Sequence, residues 1–465
     1  MSGLSTPPAA KITPGAAPSA VPENPSLKEL TLVFARIGCL GFGGPAGQIA
    51  MMHRAIVEER RWLSEDRFLH ALNYCMLLPG PEAQQLATYT GWLLHGVRGG
   101  IVAGLLFVLP GLFVIIGLST AYGLYQEAGW LAGLFFGLKA AVLSVVVEAV
   151  IRLAGKTLKT RFLRALALLA FLALFVLALP FPLVVLLAGL AGLFHARRDE
   201  AGSLNRSNAR EEILPSASAR PPLLRSIGSL LFWIGVWQLP LLVLSLISGA
   251  ESLAAMFAFF SRMALVTFGG AYAVLAYVAQ VAVENYGWLQ PGEMLDGLAL
   301  AETTPGPLVL VLSYVGYLVG FRTVPGLDPI VGGTVGALLV AWATFVPSFI
   351  WIFAGAPYIE RLRGNAAISA ALSAITAAVV GVILNLALWF GLHVLFARVE
   401  RIALFPGWAG EGAPGLWWPD LHSLDAAAAV LFAVSAFLLL RLKLGMVKVL
   451  ALSASAGLCW RLAGF

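Results

Sequence analysis

The chain has 465 residues, of which 59% are hydrophobic and 12% are charged, with a net charge of +6 and a mean hydropathy of +0.87. Soluble domains carry about 25% charged residues, so this composition excludes an ordinary soluble globular protein. Uncharged stretches such as 165–193 also exclude a membrane barrel, whose strands alternate apolar and polar residues. The sequence therefore predicts an all-α polytopic membrane protein, because helices are the remaining way to satisfy a backbone in lipid.

Residues 1–28 are rich in Pro, Ala and Ser and lack an apolar core, so we predict a disordered tail there. Apolar runs of about 20 residues then follow one another along the chain. About 13 hydrophobic segments are predicted, at 30–52, 66–94, 97–121, 129–152, 163–179, 181–195, 227–248, 253–280, 293–319, 328–355, 366–396, 422–440 and 444–462.

The two halves of the chain are related by an internal repeat. The stretch Phe34–Pro45 matches Phe260–Ala271, and the register then continues without a gap for nearly fifty residues. Three landmarks keep a constant offset of 226 residues: Phe42 with Phe268, Trp62 with Trp288, and Pro79 with Pro305. After an insertion the match resumes at an offset of 237, at Pro110 with Pro347 and at Glu148 with Asn385.

The segment count predicts that the two repeats are inverted. The repeats begin at the first and the eighth segments, so an odd number of segments separates their starts. The loop 53–67 holds four Arg, whereas its repeat partner 279–293 holds neither Lys nor Arg, which places the two loops on opposite sides of the membrane. With a cytoplasmic N-terminus and a periplasmic C-terminus, most basic loops lie inside the cell.

Helix breakers stand in the middle of corresponding segments of both halves, which predicts broken or re-entrant helices there. Inverted repeats with such breaks are typical of secondary transporters, whose site lies at the repeat interface near mid-membrane. The free N–H groups of broken helices favour an anion; close packing or simple kinks are the alternative reading. The predicted substrate-binding residues at the breaks are Phe42, Gly43, Gly44, Pro79, Gly80, Pro81, Phe268, Gly269, Gly270, Pro305, Gly306 and Pro307.

Five regions are predicted along the chain. A polar stretch rich in Arg, Ser and Pro separates the repeats, and the basic surplus follows the positive-inside pattern, so no nucleic-acid partner is predicted. The regions are a tail at 1–28, an N-terminal transporter repeat at 29–195, a cytoplasmic linker at 196–226, an extra transmembrane helix at 227–252 and a C-terminal transporter repeat at 253–465.

Two arginines complete the predicted substrate site. Arg36 and Arg262 correspond under the repeat, and each lies six residues before its Phe-Gly-Gly break within an apolar stretch. An Arg at the bilayer centre costs about 2.5–3.5 kcal/mol, so this pair predicts a site, and the planar guanidinium suits a tetrahedral oxyanion. Snorkelling of these side chains to the headgroups is the alternative.

Other ionisable residues are candidates for proton coupling or for ion pairs. Glu82 follows the first Pro-Gly-Pro, Glu302 precedes the second, and Glu148 and Lys139 lie in the fourth segment. A carboxylate in low dielectric can titrate near neutral pH, whereas a helix cap or a structural ion pair is the alternative. His53 belongs to the same set. The histidines and the three cysteines form no metal-binding pattern, and neither a metal nor a cofactor is predicted.

The motifs resemble those of the chromate ion transporter family in its long two-domain form. In the first half these are Gly41-Phe-Gly-Gly-Pro45, Arg60-Arg61-Trp62 and Leu77-Leu-Pro-Gly-Pro81. In the second half they are Phe268-Gly-Gly270, Leu295-Asp-Gly-Leu298 and Ala301-Glu-Thr-Thr-Pro-Gly-Pro307. The resemblance covers roughly residues 28–463 without the linker. Ala271 departs from it, because it replaces the proline after the second Phe-Gly-Gly.

The resemblance implies a multi-pass carrier of the bacterial inner membrane that exports chromate, uses the proton-motive force and confers chromate resistance. A carrier of sulfate or another oxyanion is one alternative, because sulfate is isosteric with chromate. A membrane-embedded enzyme acting on lipid phosphates and a passive anion channel are alternatives of other classes, and no clustered nucleophile supports the enzyme. The lipid bilayer and the anion are the predicted partners, and a homodimer is open.

Overall fold

The structure is a computed structural model that describes residues 25–42, 44–126, 128–202, 223–266, 268, 271–324, 326–355, 366–404 and 415–463. The predicted tail at 1–28 and the predicted linker at 196–226 therefore lie largely outside the described residues. The helices are α1 (Leu27–Leu40), α2 (Gly44–His53), α3 (Glu65–Cys75), α4 (Glu82–Tyr125), α5 (Gly129–Thr157), α6 (Arg161–Phe175), α7 (Phe181–Gly202), α8 (Leu223–Ser245), α9 (Glu251–Val266), α10 (Ala271–Gln280), α11 (Pro291–Thr303), α12 (Val311–Thr323), α13 (Pro329–Ile350), α14 (Ala366–Leu395), α15 (Ala426–Ala436) and α16 (Met446–Leu462).

The described helices confirm a multi-pass membrane protein. Six stretches are long and apolar enough to cross a bilayer: Glu82–Tyr125, Gly129–Thr157, Phe181–Arg198, Ile227–Ser245, Pro329–Gly355 and Ala367–Leu395. The predicted segments 30–52, 66–94, 253–280 and 293–319 are each divided between two helices. Gly or Pro stands at each division, where the helical hydrogen-bond ladder is interrupted.

Helix α4 is bent back on itself into two limbs, residues 82–94 and 97–125. His95 and Gly96 leave the helical conformation between them, and Gly96 has a φ of +60°, which glycine adopts readily. The limbs touch at glycines, since a Cβ on Gly91 would lie 2.3 Å from the carbonyl oxygen of Gly99. At 1.5 Å per residue the first limb is about 20 Å long and the second about 43 Å, so only the second spans a bilayer alone.

Helix α3 folds back against the first limb of α4. The rings of Tyr74 and Tyr89 lie 4.9 Å apart, whereas one continuous straight helix would separate these residues by about 22 Å. Helices α11 and α12 are paired likewise, because the hydroxyl of Tyr314 donates to the carbonyl oxygen of Glu293 at 3.1 Å. The two Pro-Gly-Pro sequences therefore form the tips of two helical hairpins.

The ends of the second limb of α4 lie beside different halves of the chain. At its start, the ring of His95 is hydrogen-bonded to the carbonyl oxygen of Pro25, just before α1. Just beyond its other end, Arg322 of α12 donates to the side-chain oxygen of Gln126 at 3.4 Å. Helix α1 thus begins at one end of this limb, and the α11–α12 hairpin opens at the other.

A small antiparallel sheet follows α14, which the apolar segment pattern did not predict. Strands β1 (Val399–Ala403) and β2 (Gly415–Pro419) pair with Arg401 opposite Trp417. The backbone N–H of Gly415 donates to the carbonyl oxygen of Val176 at 3.0 Å, which ties the sheet to the end of α6. The sheet is peripheral to the helical core.

Candidate functional site

The first Phe-Gly-Gly break and the second Pro-Gly-Pro tip are joined by hydrogen bonds. The N–H of Gly306 donates to the carbonyl oxygen of Gly41 at 3.0 Å, although more than 260 residues separate them. The buried amide of Gln48 donates to the carbonyl oxygens of both Gly41 and Gly306. A break of the first repeat thus meets a break of the second.

Each Pro-Gly-Pro tip also contacts the long helix of the other half. A Cβ on Gly111 of α4 would lie 2.1 Å from the carbonyl oxygen of Pro305, so the backbones touch there. In the other direction, a Cβ on Gly80 would lie 3.7 Å from the hydroxyl of Ser348 in α13. Gly111 and Ser348 each follow the proline that marks the repeat in its helix, so the two contacts correspond.

The middle glycine of each tip has a backbone conformation that side chains oppose. Gly80 has a φ of +115° and Gly306 a φ of +99°. These values are available to glycine without a Cβ penalty, which explains the residue between the two prolines. The prolines, for their part, cannot continue a helix from the preceding turn, so the pair ends one helix and starts the next.

Eight of the nine predicted break residues that the structure describes are buried or half-buried. Pro79, Pro81, Pro305, Gly306 and Pro307 are buried, and Gly80, Gly44 and Phe268 are half-buried. Phe42 is 40% exposed. Gly43, Gly269 and Gly270 lie outside the described residues.

Among the described residues, no hydrogen bond or ion pair joins Arg36 or Arg262 to the hairpin tips. Both are exposed, and the Nε of Arg262 donates to the carbonyl oxygen of Ala258, one turn earlier in its own helix, at 3.1 Å. Within the described part of the chain, neither guanidinium has a carboxylate within 4.0 Å. Substrate binding by these two arginines stays a prediction.

Neutral polar side chains line the first tip instead. The amide of Gln85 donates to the carbonyl oxygen of Pro79 at 2.7 Å. The oxygen of Gln85, both amide atoms of Gln84 and the hydroxyl of Ser348 are buried and have no hydrogen-bond partner among the described residues. Buried polar groups are normally satisfied, so these atoms point to water or a polar ligand at the tip. Two adjacent glutamines inside an apolar segment were the sequence signal for them.

Glu302 lies three residues before Pro305, the first residue of the second tip. It is 3% exposed and accepts a hydrogen bond from the hydroxyl of Tyr272 at 2.7 Å. Glu148 and Arg152 of α5 lie within electrostatic range of this carboxyl group. Glu82 is half-buried at the first turn of α4, beside the first tip.

Lys139 is engaged in an ion pair with a carboxylate that the sequence analysis did not single out as a site. Its ammonium lies 3.2 Å from Oδ1 of Asp296 in α11, and the hydroxyl of Tyr122 donates to Oδ2 at 2.9 Å. The sequence feature that could have identified Asp296 was the presence of an acid within an apolar segment. The pair links α5 of the first half to α11 of the second.

His53 is the last residue of α2. Its ring nitrogens lie 3.2 Å from Glu58 and 2.6 Å from Glu65. Within the described ranges, no group of three or more His, Cys, Asp or Glu side chains is placed to hold a metal ion.

Comparison with known proteins bears on this arrangement. The family model described as "Chromate transporter" matches residues 28–193 and 254–458, which covers both halves of the chain. The chain belongs to the chromate transporter family. The resemblance inferred from the Phe-Gly-Gly and Pro-Gly-Pro motifs is thereby confirmed.

Several relatives of this chromate transporter family member match most of its length. A chromate transport protein of Pseudomonas aeruginosa is 34% identical, over 78% of this chain and 81% of the relative. A probable chromate transport protein of Synechococcus elongatus is 29% identical, over 88% of this chain and 96% of the relative. An uncharacterized transporter of Methanocaldococcus jannaschii is 26% identical, over 93% of this chain and 94% of the relative. No solved structure matches the chain.

The chromate transporter family model does not match the region between the repeats, which includes α8. This helix is nevertheless bonded to the second half. Trp237 donates to the carbonyl oxygen of Ala343 at 3.0 Å, and Trp342 donates back to that of Val236 at 3.1 Å.

Proposed function

We propose that this protein exports chromate across the bacterial inner membrane, uses the proton-motive force and confers chromate resistance. Membership of the chromate transporter family and the names of the relatives support chromate transport, and they favour a transporter over an enzyme. The single structural observation that supports the transport mechanism is the meeting of broken helices from both halves at Gly41 and Gly306.

The two repeats in this proposal are inverted. Helix α1 begins at the His95 end of the second limb of α4, whereas the α11–α12 hairpin opens at the Gln126 end. Arg60 lies within electrostatic range of Glu29, so the Arg-rich loop is also at the end where α1 begins. The positive-inside pattern then supports a cytoplasmic N-terminus and a periplasmic C-terminus.

The oxyanion binds between the hairpin tips in this proposal. The first limb of α4 starts at the first tip, and a 3-10 turn at Leu308–Leu310 leads from the second tip into α12. The free N–H groups and the dipoles at these two helix starts favour an anion. The unpaired amide of Gln84 and the hydroxyl of Ser348 are further donors. Arg36 and Arg262 supply positive charge along the path, since each lies on a helix that leads to a break.

The membrane potential favours export of this substrate. Moving one elementary charge across 100 mV is worth about 2.3 kcal/mol, so a dianion gains about 4.6 kcal/mol on leaving a cell that is negative inside. The electrical part of the proton-motive force therefore acts directly on chromate. A passive anion channel would use the same gradient without saturating or coupling to protons.

The test is the flux of radiolabelled chromate into inverted membrane vesicles that contain the protein. We expect accumulation in energised vesicles, and loss of that accumulation on adding an uncoupler. Vesicles without the protein are the control. Absence of accumulation in energised vesicles with the inserted protein would contradict the proposal.

Sulfate is the second candidate substrate, because the same neutral donors and helix termini suit any tetrahedral dianion. Excess sulfate in the chromate assay separates the two. We expect inhibition only at a sulfate concentration far above that of chromate. Equal or stronger competition by sulfate would identify the protein as a general oxyanion carrier.

A further inference from the structure

A buried ion pair joins the two halves away from the hairpin tips. We call Lys139, Asp296 and Tyr122 the latch. Its ammonium and carboxylate are 3.2 Å apart, and the tyrosine hydroxyl donates to the other carboxylate oxygen at 2.9 Å. The side chain of Asp296 is 6% exposed and that of Lys139 is 29% exposed. Only the lysine therefore has access to the molecular surface.

A second set of contacts surrounds the latch on the same side of the molecule. Arg322 of α12 forms an ion pair with Glu293 and donates to Gln126, which follows α4. Gly292 leaves space for Lys139, since a Cβ there would lie 3.2 Å from its ammonium nitrogen. The charged and titratable groups around Asp296 are Lys139, Tyr122, Glu293 with its partner Arg322, and Tyr314.

We propose that the latch is a proton-operated gate between the repeats, which is closed in this structure and opens when Asp296 takes up a proton. The inference rests on the proposed transport function and names its coupling residue. Proton uptake converts the Asp296 carboxylate to a carboxylic acid, while Lys139 remains an ammonium ion. Lys139 then loses its counter-ion, so its partly exposed ammonium becomes fully hydrated and α5 separates from α11.

The repeat partners of Asp296 and Lys139 do not form an equivalent of the latch. At the repeat offsets of 226 and 237, the positions that correspond to Asp296 and Lys139 hold His70 and Thr376. An acid–lysine pair therefore exists on one side of the pseudo-symmetric structure alone. Because of this asymmetry, protons from the Gln126 side open the gate and protons from the other side do not, as a coupled carrier requires.

The coupling follows from the position of the latch. Protonation from the side of Gln126 opens the repeats toward that side, and release of the proton to the opposite side of the membrane restores the ion pair. In the proposed topology this side is periplasmic and is the acidic side of an energised membrane. One proton thus enters each time the gate completes its cycle.

Cross-linking of the two repeats as a function of pH tests the gate without any substrate. Gly123→Cys and Phe321→Cys place thiols on α4 and α12, where a Cβ on Gly123 would lie 3.4 Å from the Phe321 ring. The three native cysteines are replaced by serine, and the full chain is reconstituted in liposomes. With a short bifunctional thiol reagent, we expect a high yield of cross-linked protein at alkaline pH and at least a fivefold lower yield at acidic pH.

Variants of the latch then separate gating from a structural role. Asp296→Asn is expected to give a low cross-linking yield at every pH. The double variant Lys139→Asp with Asp296→Lys is expected to restore the dependence of the yield on pH. Tyr122→Phe removes one hydrogen-bond donor to the Asp296 carboxylate, so the midpoint of cross-linking yield against pH should move to higher pH. Glu251→Gln, which changes an exposed acid at the start of α9, is the matched control. A pH profile that is the same in all these proteins would overturn the gate.

Chromate flux in the same liposomes separates failure of the gate from failure of the proposed function. Asp296→Asn should retain chromate–chromate exchange within about threefold, and should lose at least tenfold in net flux driven by a pH gradient. Equal loss of exchange and net flux would contradict a coupling role. A wild-type protein that exchanges no chromate but cross-links with the expected pH dependence would overturn the substrate and retain the gate.

Discussion

At the scale of single residues, main-chain atoms and a neutral side chain join the two breaks. Gly41 and Gly306 meet through main-chain atoms, and Gln48 binds both carbonyl oxygens. The two arginines that sequence reasoning favoured are exposed instead. The tips therefore bring helix termini and amides together, while the side chains of Arg36 and Arg262 are exposed.

The middle glycine of the second tip should be sensitive to a single added methyl group. Gly306→Ala forces a left-handed conformation on an alanine, which costs about 1–2 kcal/mol, and its Cβ meets Leu310 at 3.2 Å. We expect a lower melting temperature of the purified protein and at least a tenfold loss of chromate flux. Gly117→Ala, at a helical position with open space, is the control and should match wild type.

The arginines provide a second residue-scale test. Arg36→Ala and Arg262→Ala should each abolish chromate flux while the protein remains inserted in the membrane, because the dianion loses a counter-charge. Arg398→Ala, at an exposed position beyond α14, should transport normally. Wild-type flux in both of the first two variants would remove these arginines from the proposed site.

At the scale of elements, glycines and prolines decide how the helices are arranged. Gly91 and Gly99 let the two limbs of α4 touch, and the Pro-Gly-Pro sequences turn two segments into hairpins. The same residue types were visible in the sequence as breakers. Whether each broken segment crosses or returns depended on contacts such as that of Tyr74 with Tyr89.

Helix α8 should stabilise the protein without taking part in transport. Trp237→Phe removes a buried hydrogen bond to α13 and leaves the carbonyl oxygen of Ala343 unpaired, which should cost about 1–3 kcal/mol. We expect a lower melting temperature and unchanged chromate flux per inserted molecule. A selective loss of flux at unchanged stability would instead give α8 a role in transport.

At the scale of the whole molecule, the two repeats interlock. Each Pro-Gly-Pro tip contacts the long helix of the other half, and the latch adds a further connection between the halves. Motion of one repeat therefore requires contacts with the other to break and re-form. This is the kind of paired interface that alternating access needs.

Inversion of the repeats has a direct test by thiol labelling. The native cysteines are removed, and a single cysteine is introduced at Arg60 in one variant and at Asn285 in another. Both positions are exposed, and they correspond approximately under the repeat. A membrane-impermeant reagent should label one in intact cells and the other in inverted vesicles. Labelling of both from the same side would contradict inversion and the topology proposed for the termini.

Membrane residence, the internal repeat and the positions of the breaks were determined by the sequence alone, because composition and local periodicity are sufficient for them. Thirteen separate spans were not confirmed, since breakers divide four of the segments. Only the tertiary structure decided that Lys139 meets Asp296 and that Gln48 meets Gly306. More than 150 residues separate each pair, and such contacts depend on how whole helices pack, which no local pattern contains.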